Sequence, residues 1–221
     1  FTQNLWYATA DKGLAAMLYS PCEVNAWVAN GVPVTITEET NYPFDEHIKF
    51  TVSTKAKEVH FPLELRVPGW CKKATVTVNG QVYQEGTALI TINRAWKHGD
   101  VVVLNLPMHI FNNTWYENSI SVERGPITYA LQIGEEVKKV TNDKDPIEYG
   151  NTYYEVRPAT PWNYGLFKAP DLYIVVQNKA VSDFPWNAAS APVMNKTKGK
   201  RIPSWGLYND MTGYLPYSVT Y

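Results

Sequence analysis

The chain has 221 residues, of which 45% are apolar and 19% are charged, and its formal net charge is -1. This composition supplies a sizeable apolar core and excludes wholesale disorder, and the near-neutral charge excludes the basic footprint of a nucleic-acid-binding protein. No apolar run approaches the roughly 20 residues of a membrane-spanning helix, and no signal peptide is visible. Neither nucleic acid nor a membrane is therefore an expected partner.

The N-terminal segment predicts a helix. Phe1, Leu5 and Ala8 recur at helical spacing, and Gly13 follows as a stop signal. We therefore expect a helix from Phe1 to Lys12. Because the chain opens on Phe1 inside that helix, we expect it to be a piece of a longer protein.

After Gly13 the apolar residues alternate with polar ones, which is typical of strands with one buried face. The alternating apolar positions are Val34 and Ile36; Ile48, Phe50 and Val52; and Val59, Phe61, Leu63, Leu65 and Val67. Pro62 cannot donate a ladder hydrogen bond, so it predicts an edge strand or a bulge. These patterns indicate an antiparallel β-sheet protein.

Turn residues separate the predicted strands. Asn79-Gly80, between Val78 and Val82, is a strong hairpin signal. Turns are also predicted at Asn30-Gly31 and at His98-Gly99-Asp100, before a strand from Val101 to Leu106. Short, evenly spaced strands of this kind favour a sandwich or barrel.

A second block begins near Trp115. It has predicted strands at Ile127 to Leu131, Tyr153 to Val156 and Leu172 to Val176, with a charged surface loop from Gly134 to Asn151. No flexible linker separates the blocks. The predicted fold is all-β, with two packed antiparallel β-sandwiches of jelly-roll or immunoglobulin-like type at residues 14–112 and 113–221, after a terminal helix at residues 1–13.

Aromatic residues make up 14% of the chain and crowd its C-terminal part. They either fill gaps in an irregular sandwich or present rings to a glycan. The candidate glycan contacts are Trp162, Tyr164, Trp186 and Trp205, in a region that also holds Tyr208, Tyr214 and Tyr217.

Cys22 and Cys71 are the two cysteines. Their spacing leaves a disulfide open, and we expect free, partly buried thiols. No Cys-x-x-Cys or Cys/His cluster predicts a metal site, and the four histidines lack metal-ligand spacing. His47 and His60 fall on the exposed faces of their strands.

The carboxylates do not predict a catalytic pair. A glycosidase needs two carboxyls about 5–10 Å apart. Glu38-Glu39 and Glu135-Glu136 are sequence neighbours, and neighbours on a strand point to opposite faces. We expect these residues, together with Asp143 and Asp145, to be solvated.

Three segments carry a family resemblance. They are Arg66-Val-Pro-Gly-Trp70 with Ala74-Thr-Val-Thr-Val-Asn-Gly80; Ile92-Asn-Arg-Ala-Trp96 with Gly99-Asp100 and Leu106-Pro-Met108; and Ser121-Val-Glu-Arg-Gly-Pro126 with Tyr129-Ala-Leu131. This series resembles the C-terminal region of the β-L-arabinofuranosidase-like glycoside hydrolases, family 127 and its relatives. In that family the segment Phe1 to Met17 would be the last helix of an (α/α)-barrel catalytic domain.

Each of these motifs is expected to have a structural role. Pro68 and Gly69 end a strand and let Trp70 fold back over the sheet, and Trp96 is expected to do the same. Arg124 is expected either to stack on an aromatic ring or to pair with Glu123. None of these roles requires a ligand.

The resemblance also implies where the chemistry lies. The family's active site is a zinc centre of Glu and Cys ligands with a cysteine nucleophile, and its adjacent Cys-Cys pair would precede Phe1. Cys22 and Cys71 match neither position, so we expect no catalytic residue, cofactor or metal in this chain, no activity from it alone, and zinc in the missing catalytic domain.

The resulting hypothesis is a non-catalytic β-sandwich part of a bacterial glycoside hydrolase acting on plant glycans. Its expected partner is the catalytic barrel of its own parent chain, with a plant-derived glycan and a homodimer as further possibilities. A periplasmic or secreted location follows from that substrate class. The alternatives are a stand-alone carbohydrate-binding module, which needs exposed coplanar rings, and a structural or oligomerisation domain.

Overall fold

The computed structural model describes residues 2–116, 119–141, 150–167, 173–176 and 180–216. The chain divides into two compact units. The first unit comprises Phe1–Asn113 and Val122–Thr128, and the second comprises Thr114–Ser121 and Tyr129–Tyr221. The prediction that residues 14–112 and 113–221 are separate sandwich domains stays a prediction.

The first unit is a two-layer β-sandwich. One layer has four strands in the order β1-β2-β6-β9, and the other has six in the order β3-β4-β5-β10-β7-β8. The strands are β1 (Trp6–Ala8), β2 (Leu14–Ala16), β3 (Cys22–Val28), β4 (Val32–Thr40), β5 (His47–Thr54), β6 (Val59–Arg66), β7 (Ala74–Val78), β8 (Gln81–Gly86), β9 (Leu89–Trp96) and β10 (Val101–Asn105).

Alternating burial along these strands builds the core. In β5, Ile48, Phe50 and Val52 are fully buried while the residues between them face outward. Leu63 and Leu65 of β6, in the other layer, are buried as well, and the apolar side chains of both layers form one cluster. The predicted strands and their buried faces are therefore confirmed, because period-two alternation places one residue set in the core.

The predicted turns are confirmed as well. Asn79 and Gly80 both have positive φ, 52° and 79°, and connect β7 to β8, as expected for a tight hairpin turn. Asn79 also receives support from Asp100, whose Oδ1 accepts a 2.9 Å hydrogen bond from Asn79 Nδ2. The turn at Gly31 connects β3 to β4, and the turn at Gly99 connects β9 to β10.

The predicted N-terminal helix is wrong. Thr2–Asn4 forms a single 3₁₀ turn, and β1 follows as an antiparallel partner of β2. Thr9 and Gly13 close this hairpin with a 3.1 Å bond from Thr9 N to Gly13 O and a 2.9 Å bond from Gly13 N to Thr9 Oγ1. Tertiary pairing with β2 satisfies the backbone that helical spacing had assigned to a helix.

Gly13 is a site of close approach and not a helix stop. A Cβ added to Gly13 would lie 2.2 Å from the carbonyl oxygen of Pro62. Pro62 lies on β6, an inner strand between β2 and β9, so the prediction of an edge strand or a bulge is wrong. The short β2 pairs with β6 only from Leu63 to Leu65, so the missing N–H of Pro62 interrupts no bond with β2.

Residues Val122–Thr128 join the first unit through a buried arginine. The three-stranded sheet β11-β12-β13 consists of β11 (Ile110–Thr114), β12 (Ile120–Arg124) and β13 (Ile127–Tyr129). Arg124 Nη2 donates to Glu46 Oε1 at 2.8 Å, and Nη1 lies 3.4 Å from Met108 Sδ. The expected pairing with Glu123 or an aromatic ring is therefore wrong; Glu46 is the partner of Arg124.

The described part of the second unit holds four two-stranded sheets, β14-β15, β16-β19, β17-β18 and β20-β21. The strands are β14 (Glu135–Thr141), β15 (Thr152–Pro158), β16 (Tyr164–Leu166), β17 (Tyr173–Val176), β18 (Val193–Lys196), β19 (Gly199–Arg201), β20 (Leu207–Tyr208) and β21 (Met211–Thr212).

The charged segment predicted as a loop is partly a strand. Glu135–Thr141 pairs with Thr152–Pro158 along its whole length, because cross-strand bonding overrides its charged composition. Asp143 and Asp145 lie outside the described residues. The all-β fold class is confirmed by the antiparallel sheets of both units, without the terminal helix.

Both cysteines are free thiols, as predicted, with Cys22 half-buried and Cys71 buried. Trp96 is fully buried, and the partly buried Trp70 packs against the core. Within the described ranges, no helix has the length and apolar character to cross a membrane.

Gly13 supplies a direct test of this fold. We expect Gly13→Ala to lower the free energy of unfolding by about 1–3 kcal/mol, because its methyl group would overlap backbone that cannot move cheaply. Gly69→Ala is the matched control, since a Cβ at Gly69 meets nothing within 4 Å, and its effect should stay within about 0.5 kcal/mol. Denaturant unfolding of both variants measures the difference, and equal stabilities would contradict the close approach.

Candidate functional site

Two of the predicted glycan contacts are packed against each other. The rings of Trp162 and Trp205 meet in a T-shaped arrangement, with centroids 5.1 Å apart and planes at 66°. Trp205 Nε1 donates to the carbonyl oxygen of Gly213 at 2.8 Å. This pair therefore has a structural role in the second unit, where it joins separate loop segments.

A buried amide reinforces this contact. Asn163 Nδ2 donates to the carbonyl oxygens of Ile202 and Trp205, at 2.8 and 2.9 Å, and Ile202 N donates back to Asn163 O at 2.8 Å. Asn163 thus satisfies loop carbonyls that would otherwise be buried without partners. Sequence patterning did not single out this residue, since a lone Asn beside a Trp is a common loop feature.

The other two candidates present more of their rings to solvent. Tyr164, at the start of β16, is 40% exposed, and Trp186 is 71% exposed. Tyr208 and Tyr214 are exposed as well, and Tyr217 lies outside the described residues. Glycan contact by Trp162, Tyr164, Trp186 or Trp205 stays a prediction.

The first unit contains a buried carboxyl group, which we call the Glu38 cluster and define as Glu38, Trp6, Ser20 and Cys22. Glu38 is only 2% exposed. Its Oε2 accepts a 2.9 Å hydrogen bond from Trp6 Nε1 and lies 3.5 Å from Cys22 Sγ, and its Oε1 accepts a 3.0 Å bond from Ser20 N. The expectation that Glu38 is solvated is therefore wrong.

The inward direction of Glu38 follows from strand geometry. Val34, Ile36 and Glu38 recur at period two on β4 and share its core-facing side, so this alternation was the signal that could have located it. Glu39 points outward, as neighbours on a strand must, and pairs with Lys49 Nζ at 2.8 Å. The adjacent carboxyls therefore lie on opposite faces, as predicted.

Burial dominates the electrostatics of the cluster. Desolvation raises the pKa of Glu38 to about 7, against the hydrogen bonds from Trp6, Ser20 and Cys22, which act to lower it. Burial and the nearby Glu38 carboxylate raise the pKa of Cys22 to about 11. The thiol of Cys22 is therefore protonated at neutral pH, which makes it a poor nucleophile and a poor metal ligand.

The cluster links the two layers of the sandwich. Trp6 belongs to the four-stranded layer and Glu38 to the six-stranded one, so their hydrogen bond crosses the sandwich. Trp6 also contacts Phe50 edge-on, with ring centroids 5.7 Å apart. Glu39 faces the other way, so Glu38 and Glu39 do not form the carboxyl pair of a two-carboxylate glycosidase.

A shallow groove lies beside the first strands. It is lined by Asn4, Tyr7, Ala15, Met17, Leu18 and Arg66. Arg66 Nη1 donates to the carbonyl oxygen of Met17 at 3.3 Å, and the hydroxyl of Tyr19 donates to Arg66 O at 2.5 Å. Arg66 is therefore tied to the backbone that forms the groove.

The described residues do not fit a zinc centre. In the part of the chain that the structure describes, no three His, Cys, Asp or Glu side chains gather as a metal site would require. Cys22 is engaged with Glu38, and Cys71 is a separate buried thiol. His47 and His60 are exposed, as predicted, and His47 Nδ1 lies 2.9 Å from Asp45 Oδ1.

Comparison with known proteins shows which family part of the chain is similar to. Residues 13–108 match the model described as β-L-arabinofuranosidase, GH127 middle domain. The chain is 26% identical, over 141 residues, to a non-reducing end β-L-arabinofuranosidase from Bifidobacterium longum subsp. longum. That alignment covers 57% of this chain and 20% of the relative.

Solved structures agree. A GH127 β-L-arabinofuranosidase from Geobacillus stearothermophilus T6 is similar at a TM-score of 0.52 and 25% identity, over 70% of this chain and 31% of that one. A structure described as a glycoside hydrolase is similar at a TM-score of 0.50 and 25% identity, over 73% and 31%. The chain thus spans less than a third of the length of these relatives.

The family resemblance carried by the sequence motifs is confirmed: residues 13–108 match the middle-domain model of glycoside hydrolase family 127, and a curated relative and a solved structure of that family are similar to this chain.

Proposed function

We propose that this chain is a non-catalytic accessory part of a family 127-type glycoside hydrolase, which supports a catalytic domain that lies outside residues 13–108. The observation that carries the proposal is the state of Glu38. Its pKa is raised into the range of a general acid, yet the carboxyl is sealed in the core and bound by Trp6 and Ser20. A group that substrate cannot reach stabilises the sandwich and does not catalyse hydrolysis.

The remaining features of the first unit support the same role. Its inner faces form one apolar cluster, and Asp100 is held between Asn79 Nδ2 and Lys97 N, each at 2.9 Å. The carboxylate of Asp100 is therefore hydrogen-bonded to the turns that it stabilises. A rigid sandwich of this kind is suited to supporting another domain through its outer surface.

The substrate class and the cofactor of the intact enzyme belong to this proposal. The relatives are named for β-L-arabinofuranosidase activity, so the parent is proposed to release L-arabinofuranosyl residues from plant glycans in a periplasmic or secreted setting. Zinc and its cysteine ligands would belong to the catalytic domain, because Cys22 and Cys71 do not form such a site.

The proposal predicts that the purified chain does not hydrolyse an aryl β-L-arabinofuranoside. Release of the aryl alcohol is followed spectrophotometrically, with the Bifidobacterium longum relative as the positive control and a mock purification as the blank. We expect a rate equal to the blank. Turnover that co-purifies with the chain would contradict a non-catalytic role.

The Glu38 cluster predicts how stability changes with pH. The pKa of Glu38 is raised from 4.5 to about 7 in the folded state. Between these pH values the folded state binds more protons than the unfolded state. The contribution of the protonated Glu38 carboxyl to the free energy of unfolding is therefore fully present below about pH 4.5, and it is lost as the pH rises toward 7. The slope contributed by this one carboxyl is at most about 1.4 kcal/mol per pH unit.

Glu38→Gln is expected to remove that slope from the free energy of unfolding, measured by denaturant titration between pH 4.5 and 7.5. At low pH the free energy of unfolding of the variant should be lower by about 1–3 kcal/mol. The reason is that the side-chain amide of Gln has one oxygen that can accept a hydrogen bond, whereas both oxygens of Glu38 accept one, from Trp6 and from Ser20. Glu39→Gln is the matched control for loss of a neighbouring carboxyl and should change the free energy of unfolding by less than about 1 kcal/mol, since its ion pair with Lys49 is exposed. An unchanged slope in Glu38→Gln would show that Glu38 titrates normally.

A further inference from the structure

The β16-β19 ribbon of the second unit presents a tyrosine and an arginine side by side. Tyr164 lies directly opposite Arg201 in the antiparallel register of this two-stranded sheet. Directly opposite residues point to the same face, with Cβ atoms about 4.5–5.5 Å apart. Both side chains are exposed, that of Tyr164 to 40%. A phenol ring and a guanidinium group therefore share one solvent-facing surface of the ribbon.

Buried neighbours fix the backbone beneath this pair. Asn163 precedes Tyr164 and Ile202 follows Arg201, and these two neighbours are 8% and 3% exposed. Ile202 N donates to Asn163 O, and Asn163 Nδ2 donates to Ile202 O, each at 2.8 Å. Because side chains alternate along a strand, the inward anchoring of Asn163 and Ile202 directs Tyr164 and Arg201 outward. The backbone at this point is therefore organised before any ligand arrives, which lowers the cost of binding.

Arg201 ends a cation-rich stretch, which we call the basic segment and define as residues 196–201. It reads Lys-Thr-Lys-Gly-Lys-Arg, so four of its six residues are cationic, whereas the whole chain has 20 basic and 21 acidic residues. All six residues are exposed. Among the residues that the structure describes, no acidic side chain forms an ion pair with Lys196, Lys198 or Arg201. A concentrated positive charge therefore accompanies the Tyr164 ring.

This combination matches one ligand chemistry, a sugar ring that carries a carboxylate. The planar guanidinium of Arg201 can donate two parallel hydrogen bonds to a carboxylate. The Tyr164 ring offers a flat apolar surface to the C–H face of the sugar. Gly199 lies on the same face of the ribbon, two residues before Arg201, and has no side chain to cover that surface. The lysines of the basic segment attract further carboxylates along the same polymer.

We propose that the Tyr164–Arg201 pair and the basic segment bind an acidic glycan built from uronate sugars. The choice of a plant glycan over other polyanions rests on the proposed function. The near-neutral charge of the whole chain supports the same choice, because a nucleic-acid-binding domain carries a marked excess of basic residues. Binding here holds the intact enzyme on an acidic polysaccharide while the catalytic domain acts on its neutral sugars.

Isothermal titration calorimetry of the full 221-residue chain with hexagalacturonate tests the proposal. We expect saturable binding that weakens as NaCl is raised, because the charges meet on an exposed surface. A neutral arabino-oligosaccharide of the same length lacks carboxylates and should not bind measurably. A six-residue oligothymidylate, which supplies anionic charge without a uronate ring, should bind at least ~10-fold more weakly than hexagalacturonate.

Substitutions at the pair separate specific recognition from general attraction. Arg201→Gln should raise the Kd for hexagalacturonate at least ~10-fold, and Arg201→Lys should recover only part of that loss, because lysine keeps the charge but not the planar fork. Tyr164→Ala should raise the Kd at least ~5-fold, whereas Tyr164→Phe keeps the ring and should stay within ~2-fold. Arg157→Gln is the matched control, since Arg157 is an exposed arginine on β15 and its loss changes the net charge equally.

Near-ultraviolet circular dichroism, which reports on packed rings such as Trp162 and Trp205, checks that each variant keeps its fold. The proposal is overturned if hexagalacturonate does not bind, if oligothymidylate binds equally well, or if Arg157→Gln weakens binding as much as Arg201→Gln. Each of these results would leave the non-catalytic role standing. Turnover of the aryl β-L-arabinofuranoside would contradict that role whether or not hexagalacturonate binds, so the two failures are distinguishable.

Discussion

The hydrogen bond from Trp6 to the buried carboxyl of Glu38 is the constraint on which the first unit depends. It joins the two layers of the sandwich at the strand that begins the fold. Burying a carboxyl costs free energy, and Ser20 N and Trp6 Nε1 offset only part of that cost. The raised pKa of Glu38 is the direct expression of this balance, because the neutral form is easier to bury.

The raised pKa of Glu38 does not by itself identify a catalytic group. A carboxyl with a pKa near 7 is often the mark of an active site. Here the same shift arises in a position closed to solvent, with its second oxygen occupied and its neighbour Glu39 on the opposite face. The family 127 relatives are more than three times as long as the region matched, which leaves room for a separate catalytic domain.

Much of the fold could be predicted from local patterns. Period-two alternation identified β4, β5 and β6, and Asn79-Gly80 identified the β7-β8 hairpin, because both signals depend on neighbouring residues alone. The N-terminal strand and the Arg124–Glu46 contact could not be predicted in this way. The strand β1 pairs with β2, which in turn pairs with the distant β6, and Arg124 contacts Glu46, 78 residues away, so pairing beyond the local spacing decided both.

The candidate site was harder to predict than the fold. The alternation that placed Val34 and Ile36 in the core also included Glu38, but the charge of Glu38 favoured a prediction of solvent exposure. The four aromatic residues were chosen by composition, and composition did not distinguish the packed pair Trp162 and Trp205 from the more exposed Tyr164 and Trp186. Only the three-dimensional structure distinguishes a ring used in packing from a ring that faces water.

The most direct measurement of this account is an NMR titration of the Glu38 side-chain carboxyl in the isotopically labelled chain, assigned with Glu38→Gln. The account predicts that its chemical shift changes with a midpoint near pH 7. A midpoint near 4.5, the ordinary value for a glutamate, would mean that the carboxyl is solvated. That result would contradict the buried bridge between the two layers.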